Sequence, residues 1–378
     1  MVIRNEQVFF SLIQAGLWER EVKFASSEKI DFNDIYKLAE EQSVMGLVLA
    51  SLEHADVTPQ KELLLQWIGE VQLLEQRNKA MNVFVAKLIE WLRSQDIYAF
   101  LVKGQGVAQC YERPLWRTCG DVDLLLSADN YNRASAYLKS IASSVDDEDK
   151  KRKHLGLVIG DWVVELHGTL HTRQLPKLNK VVDEAQKDVF CGGSVRVWQN
   201  GNTPVFLPSA DNDVIFVFGH ILQHYFGGGI GLRQICDWCR LLWTYKDLLN
   251  HGLLESRIHK AGIMTEWKSF AALAVNYLGM PAEAMPLYSP ANKWSKKADR
   301  IIAFILKNGN FGHNRDNSFR NGSPFEQKIG SLKRYTADTM KHITVFPLDS
   351  VKVLGRMVIN GISDAVGNRN LYDSEFDR

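Results

Sequence analysis

The sequence predicts an α+β fold in which a small mixed-sheet core stands between an N-terminal helical region and a C-terminal α-helical domain. Three observations predict it. Apolar residues recur at helical spacing through the first 95 residues, short apolar runs bounded by Gly, Asp and Pro take over from Asp96 to Pro208, and helical spacing returns from Ser209 onward. The expected segmentation is therefore 1–95, 96–208 and 209–367, followed by a frayed tail over 368–378.

The N-terminal region reads as helices through Val8, Phe9, Leu12 and Ile13, and again through Leu47, Val48 and Leu52. Asp31 or Asn33 is the expected cap of a helix through Lys37 and Glu41, since a short acceptor side chain can satisfy a first-turn N–H. After Thr58-Pro59, the stretch from Gln60 to Ser94 has no proline and carries Trp67, Val71, Leu74, Met81, Val85, Leu88 and Trp91 as a buried stripe. Gly69 leaves open whether this is one helix or two.

Strands then alternate with helices. Ile97 to Val102 is a short apolar strand, Gly104 to Tyr111 opens a helix, and Asp121 to Leu126 is a second strand. Ser127-Ala128-Asp129 starts an amphipathic helix through Tyr131, Ala134, Tyr137, Leu138 and Ile141. The acidic run from Asp146 to Asp149 and the basic run from Lys150 to Lys153 form a solvated turn. Leu155 to Ile159 and Trp162 to His167, linked by Gly160-Asp161, read as a hairpin with a primed turn. Runs at Val195 to Trp198 and Pro204 to Leu207 close the core.

Beyond Pro208, Ser209 or Asp211 caps a helix through Val214, Phe218 and Leu222, and Leu232 to Tyr245 forms another. The glycines from Gly227 to Gly231 follow a helix and lack the preceding strand of a phosphate-binding loop, so they read as a helix-ending hinge. Helices around Trp267 to Leu278, Trp294 to Leu306 and Ile329 to His342 follow, interrupted by a polar loop from Gly309 to Pro324.

Composition narrows the function. In 378 residues, 46% hydrophobic and 24% charged content is ordinary for a soluble chain, and a net charge of +1 argues against a general nucleic-acid-coating role. The N-terminus carries acids among its apolar residues and does not resemble a signal peptide, and apolar runs are too short to span a bilayer. Five irregularly spaced cysteines favour reduced thiols, so a cytoplasmic location is expected.

The chemistry concentrates between Phe100 and Leu126. In a strand, residues i and i+2 share a face, so Asp121 and Asp123 project together from a run that is otherwise apolar. Two adjacent carboxylates raise one another's pKa unless a cation neutralises them. Magnesium suits such a pair, because it takes hard oxygen ligands and keeps positions open for phosphates.

Lys103-Gly104, Tyr111, Pro114, Arg117 and Gly120-Asp121-Val122-Asp123-Leu124-Leu125 together resemble the signature of the uncharacterised nucleotidyltransferase family of bacteria, a branch of the DNA polymerase beta-like superfamily. The broader superfamily has Ser where Gln105 stands. The resemblance implies a magnesium-dependent transfer of a nucleoside monophosphate from an NTP, as co-substrate, to an acceptor, with two Mg²⁺ ions. It implies a third acid on a later strand, and Glu165 is the candidate; the alternative is that Glu165 faces solvent. Asp121, Asp123 and Glu165 are thus the expected catalytic and metal-binding residues. Lys103, Gly104, Arg117, Gly120 and His167 are the expected nucleotide contacts, Lys103 and Arg117 meeting triphosphate charge unless they form salt bridges to Asp121 or Asp123. A small molecule or sugar is the favoured acceptor. A toxin-type enzyme acting on tRNA or protein, and a non-catalytic nucleotide-binding module, are the alternatives.

Other polar groups carry weaker signals. His167 shares a strand face with Glu165, and His171 lies just beyond it. His220 and His224 share a helix face, as do Cys236 and Cys239, giving a four-ligand count for zinc at spacings unlike a zinc module. The stronger alternatives are plain packing or a polar face made by His220, His224, Arg233 and Asp237 toward the nucleotide cleft. The loop from Asn310 to Arg315 is solvent-exposed or covers an acceptor.

Overall fold

The computed structural model describes residues 5–24, 30–172, 175–227, 229–312, 314 and 324–356. Its N-terminal helices are α1 (Asn5–Trp18), α2 (Phe32–Glu41) and α3 (Met45–Ser51). Asp31 is the cap of α2, accepting from the backbone N–H groups of Asn33 and Asp34. The next helix, α4 (Lys61–Arg93), is continuous through Gly69, where an added Cβ would meet open space. At 1.5 Å per residue it is about 50 Å long, enough to serve two cores. Trp67 and Val71 in its first half pack with the N-terminal helices, whereas Met81, Val85, Leu88 and Leu92 in its second half pack with the sheet.

Among the described residues, five strands form one mixed sheet in the order β1-β2-β5-β4-β3. They are β1 (Ala99–Val102), β2 (Asp121–Leu126), β3 (Ser144–Val145), β4 (His154–Ile159) and β5 (Trp162–His167). The β2–β5 pair is parallel and its neighbours are antiparallel. The β4–β5 turn is tight, with Gly160 at φ 60° in the first of its two linking positions, as a primed hairpin turn requires.

Side-chain alternation sorts the sheet into two unlike faces. Leu101, Val122, Leu124, Leu126, Leu155, Leu157, Val164 and Leu166 are buried in one cluster with α4 and with Tyr131, Ala134 and Leu138 of α6 (Ala128–Lys139). Each such side chain contributes about 1.5–3 kcal/mol relative to exposure. A one-residue slip of β2 would put Asp121 and Asp123 into that cluster, so the apolar alternates fix the register that presents the acids on the opposite face.

The strands expected to close the core do so from outside the main sheet, and one helix was missed. The strands β6 (Val195–Asn200) and β7 (Thr203–Pro208) form a separate antiparallel ribbon and do not extend the main sheet. Pro204 and Pro208 lack the N–H donors that a second ladder would need, so β7 packs across β1, placing Val205 and Leu207 in the sheet's apolar cluster without pairing. The helix α7 (Pro176–Phe190) was not anticipated, although Leu178, Val181, Val182, Ala185 and Val189 form its buried face.

The C-terminal half comprises α8 (Ala210–Gly227), α9 (Leu232–Thr244), α10 (His251–Ala261), α11 (Met264–Asn276), α12 (Asn292–Asn308) and α13 (Pro324–Ile343). Ser209 Oγ accepts the Asn212 N–H before α8. The glycine run ends α8 and leads into α9, with Gly229 at φ 112° and the Gly231 N–H donated to the Gln234 side chain. The N-terminal helices share one apolar core with these helices, and Gln14 and Trp18 donate to the carbonyls of Tyr277 and Leu278. Residues 313 and 315–323 of the polar loop, and the tail over 368–378, lie outside the described residues.

Candidate active site

Parallel pairing of β2 with β5 builds the site. The register sets Asp123 opposite Glu165 and Asp121 opposite Val163, so the carboxylates of Asp121, Asp123 and Glu165 meet on the face away from the apolar cluster. Each offers an oxygen within 4.8 Å of the others. Asp123 is 2% exposed, whereas Asp121 and Glu165 are half-buried toward the open side.

Basic groups surround the buried acid. Lys103 follows Val102, which pairs with Asp123, and its left-handed backbone (φ 56°) accompanies an Nζ position 2.8 Å from Asp123 Oδ1. Non-glycine residues adopt such a φ at a cost and are concentrated at functional sites. His167 Nε2 lies 2.7 Å from the same oxygen and 3.4 Å from Glu165 Oε2. His154, paired with His167 across β4 and β5, puts its Nε2 3.2 Å from Glu165 Oε2. Sequence reading did not single out His154. The two-residue hairpin link carried the signal, because it sets Ile159 opposite Trp162 and therefore His154 opposite His167.

The charges are unequally compensated. Burial works to raise the Asp123 pKa, but the Lys103 ammonium and the His167 hydrogen bond outweigh it and hold the carboxyl below its ordinary value. Glu165 is likewise held low: burial opposes this, and hydrogen bonds from His154 and His167 prevail. Burial and the Lys103 charge work to lower His167, yet hydrogen bonds to Asp123 and Glu165 leave it raised. Asp121 differs. The Asp123 charge, then burial, then the Glu165 charge push it up to about 6.

That difference has a consequence for the metal-free protein. A carboxyl raised from its unfolded value contributes stability at low pH that is lost as pH rises through the folded value. Between pH 4 and 6 the unfolded chain ionises at Asp121 while the folded chain holds the proton. Asp121→Asn removes this loss. In chelator above pH 6 the variant is expected to be more stable than the parent by on the order of 2 kcal/mol, the gap closing toward pH 4, as read by thermal melts. Lower stability of the variant at pH 7 would contradict it.

The remaining expected contacts are divided. Gly104 has φ 35°, and its Cα lies against Cys119 and the Asp121 carbonyl, where an added Cβ would come within 3.2 Å of Cys119 Sγ. Gly120 meets no such restriction and is exposed beside Asp121. Arg117 is turned from the acids: its Nε and Nη2 donate to Asp237 at 3.0 and 2.6 Å, and Tyr111 donates to the same carboxylate. The salt bridge weighed for Arg117 is thus to Asp237, while Lys103 does pair with Asp123. Gln105 turns inward to donate to Asn78, which in turn donates to the carbonyls of Leu115 and Arg117 and ties that segment to α4. His171 pairs with Asp183 on α7.

Helices α8 and α9 add a second wall. The His220 and His224 rings are 4.3 Å apart. Burial first, and then the Lys103 charge, hold both imidazoles low, His224 at about 4, with Arg233 adding to the effect. Both histidines therefore sense the Lys103 side of the site. Arg233 donates to the Thr118 carbonyl at 2.6 Å and draws the Asp121 pKa downward. Cys236 and Cys239 are buried in the apolar core, and among the described residues the groups able to hold a metal are Asp121, Asp123 and Glu165, and His154, Glu165 and His167. The zinc set is not assembled.

Three carboxylates on one face suit a hard divalent cation. The raised Asp121 marks negative charge that Lys103 and His167 leave uncompensated, so these residues fit magnesium.

Residues 28–279 match the model of a family described as uncharacterised nucleotidyltransferase. No curated protein and no solved structure matches the chain.

Proposed function

The chain belongs to the uncharacterised nucleotidyltransferase family, and from that premise we propose that it transfers a nucleoside monophosphate from an NTP to an acceptor hydroxyl or phosphate with the help of Mg²⁺. The single observation that carries this reading is the parallel register that sets Asp123 beside Glu165 and gathers them with Asp121. Bound there, two Mg²⁺ ions would neutralise charge on the attacking and leaving oxygens. Asp121 and Asp123 would hold both ions and Glu165 the one nearer the acceptor. Lys103 has two roles available: it balances Asp123 without metal, and with nucleotide present it can turn to a phosphate on its flexible stem.

Incubation of the protein with each labelled NTP, Mg²⁺ and cell extract tests the reading. A labelled product that disappears with chelator is the expected result; no product from any of the four NTPs would count against it. Lys103→Ala is expected to weaken NTP binding more than nucleoside binding, because only the former carries the charge it meets. Equal losses in calorimetric titrations would remove Lys103 from the phosphate site.

A further inference from the structure

A second concave site is lined in part by the segment that leads to Asp121. It is an open cleft of about 620 Å³ between α1, α3, α9 and the stretch from Tyr111 to Arg117, and none of the three clustered acids lines it. Much of that space is open to solvent, so a ligand would be held against the wall by its polar groups. Leu17, Val44, Leu47 and Trp116 are among its apolar lining residues.

Guanidinium groups outnumber carboxylates in its lining, although several are paired. Four guanidinium groups line the cleft, from Arg113, Arg117, Arg233 and Arg240, against the carboxylates of Glu19 and Glu112. Glu112 is taken by Arg240, and Arg113 is matched by Glu53. Arg117 gives two nitrogens to Asp237, but its Nη1 is buried with no hydrogen-bond partner, in a residue only 8% exposed. Burial, and then the neighbouring Arg117 charge, lower the pKa of Arg233, as expected of two guanidinium groups held close together. A buried donor left over beside a second cation is the arrangement that an anion would complete, and guanidinium groups meet phosphate and carboxylate oxygens in a fixed fork.

We propose that this cleft binds a small organic anion, its phosphate or carboxylate held by Arg117 and Arg233 and its apolar body lying on Leu17, Leu47 and Trp116. Taken with the nucleotidyl-transfer reading, on which this step rests, the acceptor is an anionic small molecule. Arg117 and Asp121 are four residues apart, a span of at most about 14 Å, so a molecule anchored in the cleft can extend toward the acids.

Calorimetric titration of the full chain in chelator, with phenyl phosphate and with benzoate as probes and phenol as the neutral control, tests the proposal. Ligands of this size are expected to bind in the low-millimolar range. Saturable binding of either anion but not of phenol is expected, weakened about tenfold by Arg233→Gln and by Ala50→Glu, which puts a carboxylate in the cleft wall, provided that both variants melt as the parent does. Asp123→Asn should leave this binding unchanged while removing Mn²⁺ binding in a parallel titration without chelator, which separates the cleft from the metal site. No saturable heat with either anion, or binding that both cleft variants leave intact, would overturn the proposal. Absence of Mn²⁺ binding by the parent, with anion binding present, would instead count against the nucleotidyl-transfer reading.

Discussion

Asp123→Asn is expected to lower nucleotidyl transfer by about a thousandfold or more, the effect of losing roughly 4 kcal/mol of transition-state stabilisation at a metal centre. Asp123 is the most buried of the three acids and the one opposite Glu165 across the parallel pair, so it is a residue that would hold a cation bound at the cluster. The same substitution should destabilise the metal-free protein, opposite to Asp121→Asn. It leaves the Lys103 ammonium without its nearest carboxylate and His167 with only the longer contact to Glu165. Removing one partner of a buried pair costs about 3–5 kcal/mol; Asn keeps one acceptor oxygen, so a loss of about 2–3 kcal/mol is expected near pH 7. Because the folded Asp123 pKa is depressed, that stability is fully present above the unfolded value and disappears as pH falls below it. The melting difference between parent and variant should therefore shrink in acid. Turnover within tenfold of the parent would remove Asp123 from the metal site, and equal melting at pH 7 would remove its structural role.

Glu165→Gln is expected to separate binding from chemistry. Glu165 is half-buried and touched by both His154 and His167, whereas Lys103 makes its ion pair with Asp123. If it holds the cation nearer the acceptor, NTP binding with Mg²⁺ should stay within a few-fold of the parent while transfer falls by about three orders of magnitude, as for a contact that matters chiefly in the transition state. Single-turnover kinetics beside equilibrium titration read the two effects separately. A parallel fall in both would make Glu165 a general nucleotide ligand, and no fall in either would take it out of the mechanism.

Much of this site was legible in the chain because strand geometry is local. The period of two sets Asp121 with Asp123 and Glu165 with His167, and the Gly160-Asp161 link fixes the hairpin register. What sequence could not supply is which strands lie side by side. The parallel β2–β5 pairing joins residues 42 apart, as Asp123 and Glu165 are, and only resemblance pointed to it. Arg117 shows the limit more sharply. Its place just before the acidic strand suggested phosphate, yet Asp237, 120 residues later, takes two of its nitrogens because α9 packs against that segment. The ribbon of β6 and β7 was expected to close the core, but that it does so by packing across β1 was not legible, since apolar alternation does not tell a paired strand from one that only packs across it. The histidines of α8 shared a helix face in the sequence, but their nearness to Lys103 comes from tertiary packing.

The most direct test is a crystal structure with Mn²⁺ and a non-hydrolysable NTP, with anomalous scattering locating the metal. The account predicts metal peaks within about 2.0–2.3 Å of carboxylate oxygens of Asp121, Asp123 and Glu165, the triphosphate bound to the same ions and Lys103 Nζ moved from Asp123 to a phosphate. Nucleotide bound with no metal at these acids, or metal held only by His154, Glu165 and His167, would contradict it.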